Sequence, residues 1–214
     1  MGAGRSSMPD RPYTIKEMAD HAVAVLDVAK ERQAYVLGMS MGGMIAQELV
    51  LNHSERVSAL VLGCTHCGGS ERIPPAPEVI QRFANNKGLS PEEVVDKNIA
   101  LLVTPEFSQR EPHSLKRYKE RQLRAPFQPN YALQRQLGAI RGFDTCDRIG
   151  NIQIPTLVLT ADQDLLVPPE NGRILASQIS GAELKPLASC GHLIYLERAQ
   201  AFHDIVTRFL KSLP

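Results

Sequence analysis

The chain has 214 residues, 43% of them hydrophobic and 22% charged, the profile of one soluble globular domain with or without an insertion. Twenty-four basic against twenty-three acidic side chains leave a formal net charge of +1, which argues against a nucleic-acid binder or a protein held to a membrane surface by charge. No apolar run approaches the ~20 residues that a bilayer span requires. The start, Met1-Gly2-Ala3-Gly4-Arg5-Ser6-Ser7, lacks the apolar stretch of a secretory signal. Four Cys are too sparse for a disulfide scaffold, so a cytoplasmic protein with reduced thiols is expected.

Along the chain, Thr14 and Glu17 form a T-x-x-E capping box that opens a helix over residues 14–30. Its apolar face is Ile15, Met18, Ala19, Ala22 and Leu26. Tyr35-Val36-Leu37-Gly38-Met39 reads as a buried parallel strand, followed at once by a helix through Met44, Ile45, Leu49 and Val50. Residues 56–62 make another buried strand. Residues 68–148 differ in character: eight of the fifteen prolines lie there, between short helical stretches such as 91–103, begun by Ser90 and Glu93. That length exceeds a plain connection between adjacent strands and implies an inserted helical cap.

Alternation resumes with a buried strand at residues 156–160, a helix at 169–179 stopped by Gly181, and a weaker strand at 183–187. The last helix, 199–213, would bury Phe202, Ile205, Val206, Phe209 and Leu210. The pattern predicts an α/β domain with a mainly parallel sheet flanked by helices. Residues 1–67 and 149–214 would form its core.

Gly38-Met39-Ser40-Met41-Gly42 is a G-x-S-x-G sequence between an apolar strand and an amphipathic helix. A sharp strand-to-helix turn would hold Ser40 strained and exposed, with flanking glycines because side chains would collide there. The following helix would aim its N-terminus at the charge that develops in acyl transfer. An activated Ser needs a base and the base an orienter. Asp162 and Asp164 follow the strand at 156–160, and His192 lies between the last strand and the last helix. The chain order Ser40, Asp164, His192 is Ser…Asp…His.

With Gly38 to Gly43, Pro155 to Pro169 and Gly191-His192 through Glu197, the chain resembles the α/β-hydrolase superfamily, in its lactonase- and esterase-like branch. The resemblance implies Ser40 as nucleophile, His192 as general base and Asp164 as the orienting acid. It also implies the Met41 N–H as one oxyanion donor, with no metal or organic cofactor. Asp164 is preferred to Asp162 because the family pattern is G-x-x-D, although Ala161 stands in its Gly position. The implied activity is hydrolysis of a small carboxylic ester or lactone through an acyl-serine. A cofactor-free haloperoxidase or a peptidase would share the same triad.

The front departs from the family. Members read D-x-R-G-x-G-x-S before the capped helix, whereas here Gly2-Ala3-Gly4-Arg5-Ser6 matches only the tail, with Met1 where the Arg would be. The strands and the H-G oxyanion loop that usually precede it have no counterpart. Residues 35–39 would then form an apolar sheet edge, covered by a homo-oligomer or by something else. The competing reading is a shortened, catalytically impaired fragment or binding module.

Other features read blandly. Cys64-Thr65-His66-Cys67 lacks a second C-x-x-C and is followed by Gly68-Gly69 rather than a helix, against a zinc or redox site. His21 and His203 are expected on exposed helix faces and His53 in a solvated turn. Lys116 to Lys119, near Glu111 and Glu120, should be a solvated helix face. Met39, Met41 and Met44 are candidates to line an acyl pocket.

Overall fold

The computed structural model describes residues 1–213. Both capping boxes form. The Thr14 N–H donates to Glu17 Oε2 (2.9 Å) and the Glu17 N–H to Thr14 Oγ1 (3.1 Å), opening α1 (Ile15–Ala29). Strand β1 (Ala34–Met39) leads directly into α2 (Met41–Asn52), and β2 (Val57–Gly63) follows.

Five helices then intervene before the next strand: α3 (Pro77–Ala84), α4 (Pro91–Leu102), α5 (Pro105–Arg110), α6 (Pro112–Arg124) and α7 (Asn130–Arg141). The proline density of this stretch now has a reason. Four of these helices begin with Pro, where the missing N–H costs nothing and the fixed φ favours the first turn. Lys119 of α6 pairs with Glu92 and Asp96 of α4, both at 2.8 Å, so this member of the basic run is balanced from a neighbouring helix. The chain closes with β3 (Thr156–Ala161), α8 (Glu170–Gln178), β4 (Glu183–Leu187), the single turn α9 (Ile194–Glu197) and α10 (Ala199–Lys211).

The four strands form one all-parallel sheet in the order β1-β2-β3-β4. Alternate residues of the central strands serve the two faces. Leu60, Leu62 and Val158 pack with Ala46 and Leu49 of α2, Ala19 of α1 and Leu175 of α8. Ala59, Val61, Leu157 and Leu159 meet Phe202, Ile205, Val206, Phe209 and Leu210 of α10, the five residues expected of that helix.

Strand β1 differs from the buried strand expected. Tyr35 pairs with Ala59 and Leu37 with Val61, so both side chains point to the face that α10 covers, but at the edge of the sheet they stay 56% and 44% exposed. Val25 and Val28 of α1 are exposed as well. The apolar edge anticipated from the sequence is therefore present. Among the described residues, no helix is long and apolar enough to cross a membrane.

The expectation of four reduced thiols does not hold. Cys67 and Cys146 form a disulfide with their Cα atoms 5.1 Å apart, while Cys64 and Cys190 are free. The two cysteines meet because the chain leaving the sheet at Gly68 forms a β-bridge with the returning Asp144. The His53 turn is not simply solvated either: its Nε2 lies 2.9 Å from Asp20 Oδ1 of α1.

Candidate active site

In a parallel sheet all the C-terminal strand ends lie along one edge, where open α/β sheets bind ligands. Ser40 follows β1, Cys64 follows β2, Asp164 follows β3 and His192 follows β4. The four strands thus deliver four chemically capable side chains to one rim.

Ser40 adopts φ +53° and ψ −121°, a left-handed backbone that an L residue enters only under constraint. Its N–H donates to Gly63 O (2.8 Å), and its carbonyl accepts from Thr65 Oγ1 (2.8 Å) and from the Gly43 N–H (2.9 Å). The crowding expected of the glycines is unevenly placed. A Cβ on Gly38 would come 2.3 Å from Gly42 O, and one on Gly43 would strike Thr65, whereas one on Gly42 would meet open space. The tight turn therefore demands Gly38 and Gly43. Met41 is the first residue of α2, so its N–H has no partner within the helix.

Asp164 is buried, and both of its carboxylate oxygens are engaged. Oδ1 accepts from the N–H groups of Leu166 and Val167, each at 2.9 Å, and Oδ2 lies 2.7 Å from His192 Nδ1. Asp162 instead accepts from the Cys190 N–H (3.2 Å). The His192–Asp164 pair is held with almost no solvent exposure. With a carboxylate at Nδ1, the neutral ring keeps its proton there and leaves Nε2 as the basic nitrogen. Among the described residues Ser40 Oγ makes no hydrogen bond, with His192 or any other group.

The sequence reading assigned no site role to three further residues that the structure brings to this region. Glu197 is buried at the end of α9, where it accepts from the Gly191 N–H (2.7 Å) and from Thr104 Oγ1 (2.6 Å) and N–H (3.2 Å). It ties the loop that carries His192 to the start of α5. Cys64 has its sulfur within 4.8 Å of ligand-type atoms of Asp164 and His192. Burial, and then the Asp164 charge, push the Cys64 thiol well above its usual range, so it stays protonated beside that pair.

The third is His66, inside the C-x-x-C. Its Nδ1 accepts from the Gly68 N–H (3.0 Å), and burial pulls its pKa from 6.5 down to about 4, with Arg72 adding to the effect. The neutral ring therefore carries its proton on Nε2. Its carbonyl accepts from Gln47 Nε2 (3.1 Å), and Gln47 Oε1 accepts in turn from Thr145 Oγ1 (2.8 Å), beside the disulfide.

A cavity of about 390 Å³ opens between the sheet edge and the intervening helices. Ser40, Met41, Met44 and His66 form its floor, while Ile80, Phe83, Leu133 and Ile140 come from α3 and α7. The Asp164 loop contributes Leu166 and Val167, but Asp164 and His192 themselves do not line it. Met39 packs against the opposite face of the sheet with the α10 residues.

A family model described as the alpha/beta hydrolase fold matches residues 1–199. A poly(3-hydroxyalkanoate) depolymerase of Ectopseudomonas oleovorans is 32% identical over 99% of this chain and 72% of its own length. The enol-lactonase of Burkholderia xenovorans LB400 superposes with a TM-score of 0.84 at 28% identity, covering 99% of this chain and 78% of that one. A hydrolase of Pseudomonas aeruginosa PA01 gives 0.83 at 28% identity, over 98% and 76% of the two chains. A parallel sheet with a strained Ser at its first strand–helix turn, joined to a match that runs from the N-terminal residue into α10, has one reading: the chain belongs to the α/β-hydrolase family and is a hydrolase.

Proposed function

We propose that the chain hydrolyses a small carboxylic ester or lactone through an acyl-Ser40 intermediate, with His192 as general base and Asp164 as its orienting acid. The observation that carries this reading is the buried His192–Asp164 pair at the same sheet rim as the strained turn bearing Ser40. His192 Nε2 takes the Ser40 proton as Oγ attacks the substrate carbonyl. The Met41 N–H and the N-terminus of α2 stabilise the oxyanion, and His192 returns its proton to the departing alkoxide. Water, deprotonated by the same nitrogen, then releases the acid and restores Ser40. The Ser40–His192 hydrogen bond forms as substrate fills the cavity, since catalytic contacts are often long before it binds. Residues 68–148 serve as a cap whose helices roof that cavity.

A fluorophosphonate probe tests the assignment. It reacts with the wild type and attaches at Ser40, and it fails with Ser40→Ala. Equal labelling of the two proteins removes Ser40 as nucleophile.

A further inference from the structure

The cavity beside Ser40 is apolar over most of its lining, and its polarity is one-sided. Arg72, in the loop after β2, and Arg141, in the last turn of α7, are the only charged side chains among the described residues that line it. Among the described residues no carboxylate lines it. Neither guanidinium makes an ion pair or a side-chain hydrogen bond among the described residues. The amide donors of the two glutamines in the wall are committed: Gln128 Nε2 donates to Gly2 O and to Gln136 Oε1, and Gln136 Nε2 donates to Met1 O. His66 adds a neutral ring whose Nδ1 is occupied by Gly68, so nothing in the lining offsets the two positive charges.

Arg72 is half-buried and Arg141 exposed, so the charge stands at the solvent-facing rim of the cavity, where unpaired guanidiniums favour a planar anion that accepts from their fork of N–H groups. We infer that the cavity selects esters or lactones whose acyl part ends in a carboxylate, with the carbon chain against Met41, Met44 and Phe83 and the carboxylate held by Arg72 and Arg141. This rests on the acyl-hydrolase reading for the reaction, but the anion preference is a property of the cavity and can be measured without turnover.

The measurement is equilibrium binding to Ser40→Ala of two esters that differ only at the chain end, 4-nitrophenyl hydrogen adipate and 4-nitrophenyl hexanoate. The adipate half-ester should bind about tenfold or more tightly at low salt, as a charge-assisted contact implies. That preference should shrink as ionic strength rises. It should collapse in the background of Arg72→Gln with Arg141→Gln, and survive in substantial part with Arg72→Lys and Arg141→Lys, which also guards against a simple folding defect. Equal binding of the two esters, or a preference that persists in the double Gln protein, overturns the inference. Loss of fluorophosphonate labelling at Ser40 with the binding preference intact would instead overturn the reaction and leave the anion cavity standing.

Discussion

Serine at both Cys67 and Cys146 would open a closed loop spanning 79 residues, which contains all five helices between β2 and β3. In the chain-entropy treatment, a cross-link over that span removes about 15 cal/mol/K from the unfolded ensemble, or about 4.5 kcal/mol at 25 °C. A domain of ordinary stability holds only about 5–15 kcal/mol in total, so the bond decides whether the fold is robust or marginal. With a urea m-value of about 2.5 kcal/mol/M, the unfolding midpoint should fall by roughly 1.8 M. Urea titrations of the oxidised wild type, the dithiothreitol-treated wild type and the double Ser variant check this, and the last two should coincide. Thiol counting provides the control: the unfolded, unreduced protein should expose only Cys64 and Cys190. A midpoint shift corresponding to less than about 1 kcal/mol, with the bond shown to be present, would refute the loop-entropy reasoning.

Two further outcomes follow from buried polar groups. Glu197→Ala strands the Gly191 N–H and both donors of Thr104 and should cost about 3–5 kcal/mol, with kcat falling because the His192 loop is no longer held. Glu197→Gln, which keeps one acceptor oxygen, should recover most of both, as melting curves and ester-hydrolysis rates will tell. For His66 the folded-state pKa is depressed, so the unfolded chain gains a proton below 6.5 that the folded chain refuses until about 4. Stability should therefore be full above pH 6.5 and decline by up to about 1.4 kcal/mol per pH unit towards 4, and denaturant titrations should show His66→Asn without that component.

What could be read in advance was local. The capping boxes at Thr14 and Ser90 involve residues three apart, and the apolar period of α10 and the strand–turn–helix around Ser40 are equally short-range. The choice of Asp164 over Asp162 came from a family spacing, and the hydrogen bond from His192 falls on Asp164. Features that depend on distant segments meeting stayed hidden. The disulfide needs Asp144 to return beside Gly68, the Glu197 anchor joins residues 93 positions apart, and His66 reaches the cavity only because the loop after β2 turns back over α2. Cys64 and His66 were visible only as members of a C-x-x-C weighed against zinc and redox chemistry, and nothing local placed either beside the Ser40 turn. Steric need at Gly38 rather than Gly42 likewise turns on how the α2 backbone approaches β1.

The outer rim of β1 has consequences for how the protein behaves in a tube. From Tyr35 to Met39 it offers amides and carbonyls to any passing strand, and neither lysine nor proline interrupts that stretch. Tyr35 and Leu37 add greasy side chains beside those groups. Association through that rim would grow with protein concentration, since each added neighbour brings another strand to pair with it. Purification at low concentration, or Leu37→Lys, would blunt the stickiness without replacing any residue of the candidate site.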